Sequence, residues 1–462
     1  MAAVALAAQA LPRKLRVGLF ADSAWQPRWV VEAFAKVAAS DFAEIVLIES
    51  GEEGARKRAG TTPPQPALWR LYGALDRRIF APRAHAEEPV ELAQGVPHEA
   101  GSLAEARLDV AFALGDIDDR RLDGVARYGV WRFYGDGASE VVEGAPLSAS
   151  GVEVRLAAGA EPRIAYQSWS RTYPLSVARN RAQLLAKTAE FAWRALREAQ
   201  RVGRGWLEQC PARKHAAPRR DMVLSPILGR ILARGLERAL HREQWFLAFR
   251  HGNPGEAVRA DLSGFTRIMP PPDRTWADPF VIERGGRHFV FFEDLPFAAG
   301  KAHIAMIEIG ADGRWSAPVR VLERDHHLSY PFLFEHEGAL YMVPETAQAG
   351  RVELYRCTEF PLRWRRERVL LEGVRLVDAT LERTAGRWWL FANGAPGSSR
   401  VFDDELYLYH SEKLLGEWQP HLRNPVKSTR AAHALPAGST GTAARCTVRR
   451  RSACRAMARA CR

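Results

Sequence analysis

The sequence predicts two folded parts of different class: an α/β domain built on a parallel sheet, then an all-β domain of β-propeller type. Three observations predict this. A strand–helix–strand run opens the chain, a hairpin segment recurs three times with constant spacing, and 462 residues are too many for one ordinary core. The expected divisions are an α/β domain over 14–175, a helical connector over 176–243, a propeller domain over 244–428 and a basic low-complexity tail over 429–462.

The first strand is expected at Lys14–Asp22, followed by a helix over roughly 27–39 and a second strand at Glu44–Glu49. Short joints between them make a βαβ start and hence a parallel sheet. Residues 51–65 are charged and rich in Gly and Pro, a loop. Asp109–Gly115 and Gly129–Tyr134 read as further central strands. The turn after the first strand, Phe20 to Trp25, contains no glycine, which argues against a dinucleotide site. Apolar positions at helical spacing over 176–200 and 222–242 predict helices. Gln244–Arg250 is a lone strand, placed to close a ring against its far end.

The repeat follows. Aligning Gly286, Gly338 and Gly386 puts Asp278, Tyr330 and Asp378 each eight residues before the glycine, with Glu293, Glu345 and Asn393 each seven after it. The copies lie 52 and 48 residues apart, the range of propeller blades or solenoid units. Two apolar runs around a Gly turn are the mark of a β-hairpin. The expected fold is an incomplete five-bladed β-propeller, because the strand pattern ends at Ser428. The tail is either a basic segment for an anionic surface or an out-of-frame end that leaves the ring open.

Charge and cysteine usage bound the partners. The formal charge is +12, but eight of those positive charges are arginines of 429–462, which holds no acid. A specific nucleic-acid partner is therefore not expected. Cys210 and Cys357 alone serve the body of the chain, so a disulfide framework is excluded and a cytoplasmic setting is expected. Residues 1–11 are too short to span a bilayer and lack a basic start, and no transmembrane segment is expected.

Inner strands of a propeller converge at one mouth, so Asp278 and Asp378 are expected across a shared pocket with Glu293 and Glu345 behind them. Paired carboxylates suit glycosidic chemistry, one protonating the leaving oxygen and the other activating water or attacking. These four are the candidate catalytic residues. Trp276, Tyr330, Trp388 and Asn393 are the candidate substrate-binding residues, with Trp389 as a further stacking face. The competing reading has the acids capping turns and the aromatics packing a core. His326 and His327 have no acid pair nearby in sequence, so no metal and no cofactor are expected.

Two resemblances extend this. Trp-Ala-Asp-Pro-Phe at 276, His-Leu-Ser-Tyr-Pro-Phe at 327, Val-Pro-Glu-Thr at 343 and Trp-Trp-Leu-Phe-Ala-Asn at 388 resemble the N-terminal region of plant glucosamine inositolphosphorylceramide transferases. That resemblance covers about 245–428 and implies a propeller akin to arabinanase and β-xylosidase-type glycosidases. By position it makes Asp278 the general base and Asp378 the residue tuning the acid, with no counterpart for the acid itself. Residues 14 to about 190 resemble a divergent formyltransferase-like domain. Arg132 and Tyr134 stand where such enzymes carry Asn and His, so formyl transfer is not expected. The resulting expectation is a protein directed at a carbohydrate or glycoconjugate ligand. The alternative is a non-catalytic accessory module beside glycan-assembly enzymes.

Overall fold

The computed structural model describes residues 13–51, 67–80, 85–98, 102–213, 224–250, 264–395, 402 and 404–428. Segments 1–11 and 429–462, and almost all of the loop expected at 51–65, lie outside them. The chain divides near residue 236 into two compact units.

The first unit is built on a six-stranded sheet. Its order across the sheet is Ala43–Ser50, Leu15–Ala21, Val110–Leu114, Val130–Tyr134, Leu147–Arg155, Arg163–Arg171. The first four strands are parallel, as the βαβ start requires, and the last two add antiparallel. Val110–Leu114 is buried along its whole length, which is why it reads as an unbroken apolar run. Phe34 from the helix Arg28–Ala38 meets Phe112 edge-on at 4.9 Å, and both are wholly buried. Each such side chain contributes about 2–3 kcal/mol of burial.

Residues 176–243, expected as a connector, are largely built into this unit. Ser176 caps the helix Val177–Thr188 by accepting from the Arg179 N–H at 3.0 Å. In the next helix, Phe191–Val202, Phe191, Ala192, Ala195, Leu196 and Ala199 lie on one face and join the sheet's core. Its three alanines let the helix approach the sheet closely. The helix Ala67–Phe80, which the sequence reading did not foresee, packs Trp69 with Ile227 of the helix Ser225–Leu240.

Among its described residues the second unit holds three larger antiparallel sheets, two of four strands and one of five, each a meander running in chain order. The first comprises Arg274–Arg284, Arg287–Pro296, His303–Ile309 and Val319–Leu322. The second comprises Ser329–His336, Ala339–Glu345, Arg351–Glu359 and Arg363–Glu372. The third comprises Leu376–Thr384, Arg387–Gly394, Glu405–Ser411 and Gln419–Pro420, with Lys427–Ser428 pairing back onto its third strand. One apolar cluster joins the first and second sheets through Phe291, Met306, Leu333 and Met342. Another joins the second and third through Phe334, Val343, Leu390 and Trp388. Consecutive meanders stacked face to face, with their leading strands adjacent, form the blades of a propeller.

The repeated glycines have a geometric cause. Each leading hairpin closes through a two-residue turn: Gly285–Gly286, Glu337–Gly338 and Ala385–Gly386, every one of these residues at positive φ. A turn of that kind matches the twist of its strands and favours glycine at its second position.

Among the described residues the strand Leu247–Phe249, expected to close a ring, pairs with Thr266–Ile268. Its approach is fixed at the first sheet, where Trp276 donates its N–H to the Trp245 carbonyl at 3.1 Å and Leu247 packs with Trp276. Among the described residues no helix is long and apolar enough to cross a membrane.

Candidate functional site

The repeat marks one backbone irregularity, made three times. In each leading strand the register slips just where Asp278, Tyr330 and Asp378 sit. These residues have φ of 50°, 45° and 56°. Left-handed geometry costs a non-glycine residue roughly 1–2 kcal/mol. A bulge that keeps this strain at the same point of three sheets re-aims a side chain, a common device beside binding and catalytic sites.

The second strand of each hairpin supplies the other half. Glu293 pairs with Ala277, Glu345 with Ser329 and Asn393 with Val377, each opposite the residue just before the bulge. All three side chains are partly buried.

His327, in the segment entering the second sheet, ties the acids together. Its Nδ1 accepts from the Ala302 N–H at 3.2 Å, which leaves Nε2 to carry the ring proton. Nε2 faces Glu293 Oε1 at 3.3 Å. The Glu293 hydrogen bond holds His327 above its ordinary range against the opposing effect of burial, with Glu293, Glu345 and Asp278 adding their negative fields. The His327 main-chain N–H donates to the Gln348 side-chain oxygen at 2.7 Å.

Glu345 is the titratable centre of the group. Burial, then the nearby Asp378 carboxylate, pushes its carboxyl up to about 7. His327 and a hydrogen bond with Ser329 oppose the rise, and Glu293 adds to it. Asp278, Glu293, Glu345 and Asp378 therefore share one electrostatic environment, although they come from three different sheets. A buried carboxyl beside another carboxylate holds its proton to higher pH than it would in water.

The aromatics divide. Tyr330 is half-buried, meets Phe280 edge-on at 4.9 Å and shares a hydroxyl hydrogen bond with Thr380 at 3.0 Å, so it spans all three leading strands. Trp276 and Trp388 are core residues: they are 4% and 5% exposed, and pack against Phe292 and Phe334. Neither offers a face for a sugar to stack on. Trp276 pairs with Asp294, one position out of phase with Glu293, so its side chain goes to the opposite side of the strand. Trp389 lies against His410 and His421 at ring distances of 5.4 and 6.4 Å.

His327 is the member that reading by repeat did not select. It lies outside the aligned segment, yet it opens the His-Leu-Ser-Tyr-Pro-Phe motif. Among the described residues no three His, Cys, Asp or Glu side chains are arranged to hold a metal ion. A surface hollow of about 600 Å³ in this unit lies instead beside Arg287 and Phe289, at the turn end of the first hairpin.

In the first unit, Arg132 donates to the Gly115 carbonyl at 3.0 Å and to the Ile117 carbonyl. Tyr134 lies under the Arg213 guanidinium at 4.1 Å, and burial pushes its phenol up to about 12. Both side chains serve packing and backbone support.

Comparison with known proteins concerns the second unit. The family described as glucosamine inositolphosphorylceramide transferase 1, N-terminal, matches residues 267–449. Enzymes named glucosamine inositolphosphorylceramide transferase 1 from Oryza sativa subsp. japonica and Arabidopsis thaliana are 35% and 34% identical over 156 residues. That stretch is 34% of this chain and 21% and 20% of theirs, so the chain spans about a fifth of these relatives. Among solved structures, Bacteroides ovatus xyloglucan PUL GH43B aligns over 36% of each chain with a TM-score of 0.29 and 16% identity. A family 117 glycoside hydrolase of Zobellia galactanivorans aligns over 40% of this chain and 63% of its own, with a TM-score of 0.30 and 13% identity.

Proposed function

We propose that the second unit binds the carbohydrate part of a glycoconjugate at the mouth formed by Asp278, Glu293, His327, Glu345 and Asp378. The observation that carries the reading is the left-handed bulge repeated at Asp278, Tyr330 and Asp378 in three successive sheets, with Glu293, Glu345 and Asn393 opposite. Burial and then Asp378 raise the Glu345 carboxyl to about 7. A neutral carboxyl among ionised ones can both donate to and accept from sugar hydroxyls. The similarity of this unit to the N-terminal region of proteins named glucosamine inositolphosphorylceramide transferase 1 supports the same ligand class.

The set also suits cleavage. Glu345 gives its proton to the glycosidic oxygen as the bond from the anomeric carbon breaks. Asp278 takes a proton from the water that adds to that carbon, and the proton then returns to Glu345. Asp378 keeps Glu345 protonated, and His327 fixes the Glu293 carboxylate. Tyr330 and Asn393 complete the binding wall. The propeller is proposed as five-bladed.

For the first unit we propose a formyltransferase-like scaffold without formyl transfer, since the engagements of Arg132 and Tyr134 leave no donor set for an oxyanion. A cytoplasmic role beside glycan-assembly enzymes fits this reading. Titration calorimetry with glucosamine- and inositol-containing oligosaccharides tests the ligand, and release of nitrophenol from aryl glycosides tests cleavage. Binding that Asp278→Ala leaves unchanged rules out the site.

A further inference from the structure

The helix Ser225–Leu240 is mounted with its polar side inward. Arg230 pins it, donating to the Pro174 carbonyl at 3.1 Å and to the Val141 carbonyl. Ile227 is its one buried apolar side chain. The apolar stripe that would ordinarily face a core is turned out, with Leu228, Leu232 and Leu236 at four-residue spacing and 47%, 76% and 60% exposed.

The neighbouring helix Ala67–Phe80 repeats the pattern on the same small core. Trp69 and Asp76 are buried, the Asp76 carboxylate accepting from the Ala178 N–H at 2.8 Å. Leu71 and Leu75 lie on an outer stripe and are 58% and 50% exposed. Each helix therefore presents an outward leucine stripe that needs an occupant.

Charge decides between occupants. The two helices expose four arginines (Arg70, Arg77, Arg78 and Arg238) against one exposed acid, Glu237. A second copy of the same surface would bring eight exposed arginines together. Anionic lipid headgroups complement them, and an apolar stripe bordered by arginines is the form of a helix lying in a bilayer interface.

We infer that these two helices dock the protein peripherally on an anionic membrane surface. The inference rests on these two helices alone and stands whether or not the second unit binds sugar.

Flotation of the full chain with vesicles tests it. The chain is expected to float with phosphatidylcholine–phosphatidylglycerol vesicles, to remain behind with phosphatidylcholine alone, and to be released by salt. The Leu232→Glu/Leu236→Glu variant, altered only at exposed positions, is expected to lose about 10-fold or more in vesicle affinity per leucine. Its melting temperature should not change. Arg70→Gln/Arg77→Gln/Arg78→Gln gives an independent measure, with an expected loss of about 100-fold. No flotation of the wild type on anionic vesicles overturns the inference. So does equal flotation of both variants, the result expected if the basic C-terminal segment alone binds lipid. A wild-type dimer that the leucine variant converts to monomer also overturns it, because the occupant is then a second copy.

Discussion

Glu345→Gln isolates the electrostatic cost stored at the mouth of the second unit. Burial and Asp378 carry this carboxyl from 4.5 to about 7. Between those values the folded chain holds a proton that the unfolded chain has released, so stability falls as pH rises. At ~1.4 kcal/mol per pH unit the loss approaches about 3 kcal/mol once the group is ionised in both states. Glutamine keeps the shape and much of the hydrogen bonding without that charge. Urea unfolding followed across pH should find variant and wild type equally stable near pH 4.5. The variant should then gain toward about 3 kcal/mol above roughly pH 8. A difference that stays constant with pH, or that turns against the variant as pH rises, refutes the argument.

His327 is held above its ordinary range by Glu293, so the stability it adds is fully present below the unfolded histidine value of about 6.5 and is lost as pH rises through the folded value. His327→Gln should therefore cost most at acid pH and progressively less at alkaline pH, measured by the same unfolding series. Gly338 has φ of 75° with open space around the place a Cβ would occupy. Gly338→Val should lose roughly 1–2 kcal/mol from backbone strain alone, read as a lower urea midpoint with no change in slope. Phe291 is wholly buried between the first two sheets, and Phe291→Ala should cost about 3–5 kcal/mol by the same measurement.

The blades were legible because a two-residue turn at positive φ demands a small residue, and the strand period then fixes everything counted from it. That is why Glu293, Glu345 and Asn393 fall at one place in their sheets. The left-handed bulge was not legible: aspartate tolerates that geometry, but nothing in Tyr330 announces it. The same bulge breaks the alternation along the leading strand, so distance from Asp278 did not reveal that Trp276 faces the core. His327 escaped for a different reason. Its partner Glu293 is far away in sequence, and only the stacking of the first two sheets brings the two together.

In the first unit the central strands announced themselves by unbroken apolar runs. The antiparallel pair Leu147–Arg155 and Arg163–Arg171 did not, since Ser, Arg and Gln interrupt its apolar positions. The helices after residue 176 were recognisable by period. Period says which face is apolar and not what covers it. For Phe191–Val202 the cover is the sheet, while for Ser225–Leu240 the apolar face meets solvent.

The most direct measurement is the affinity of the full chain for a glucosaminyl-inositol oligosaccharide, taken by calorimetry between about pH 5 and pH 9, for wild type and Glu345→Gln. The account predicts that wild-type affinity falls as pH passes about 7, where the Glu345 carboxyl gives up its proton, and that the variant's affinity falls less over that range, His327 alone still titrating there. Wild-type affinity that holds constant through that range, or falls equally in the variant, contradicts it.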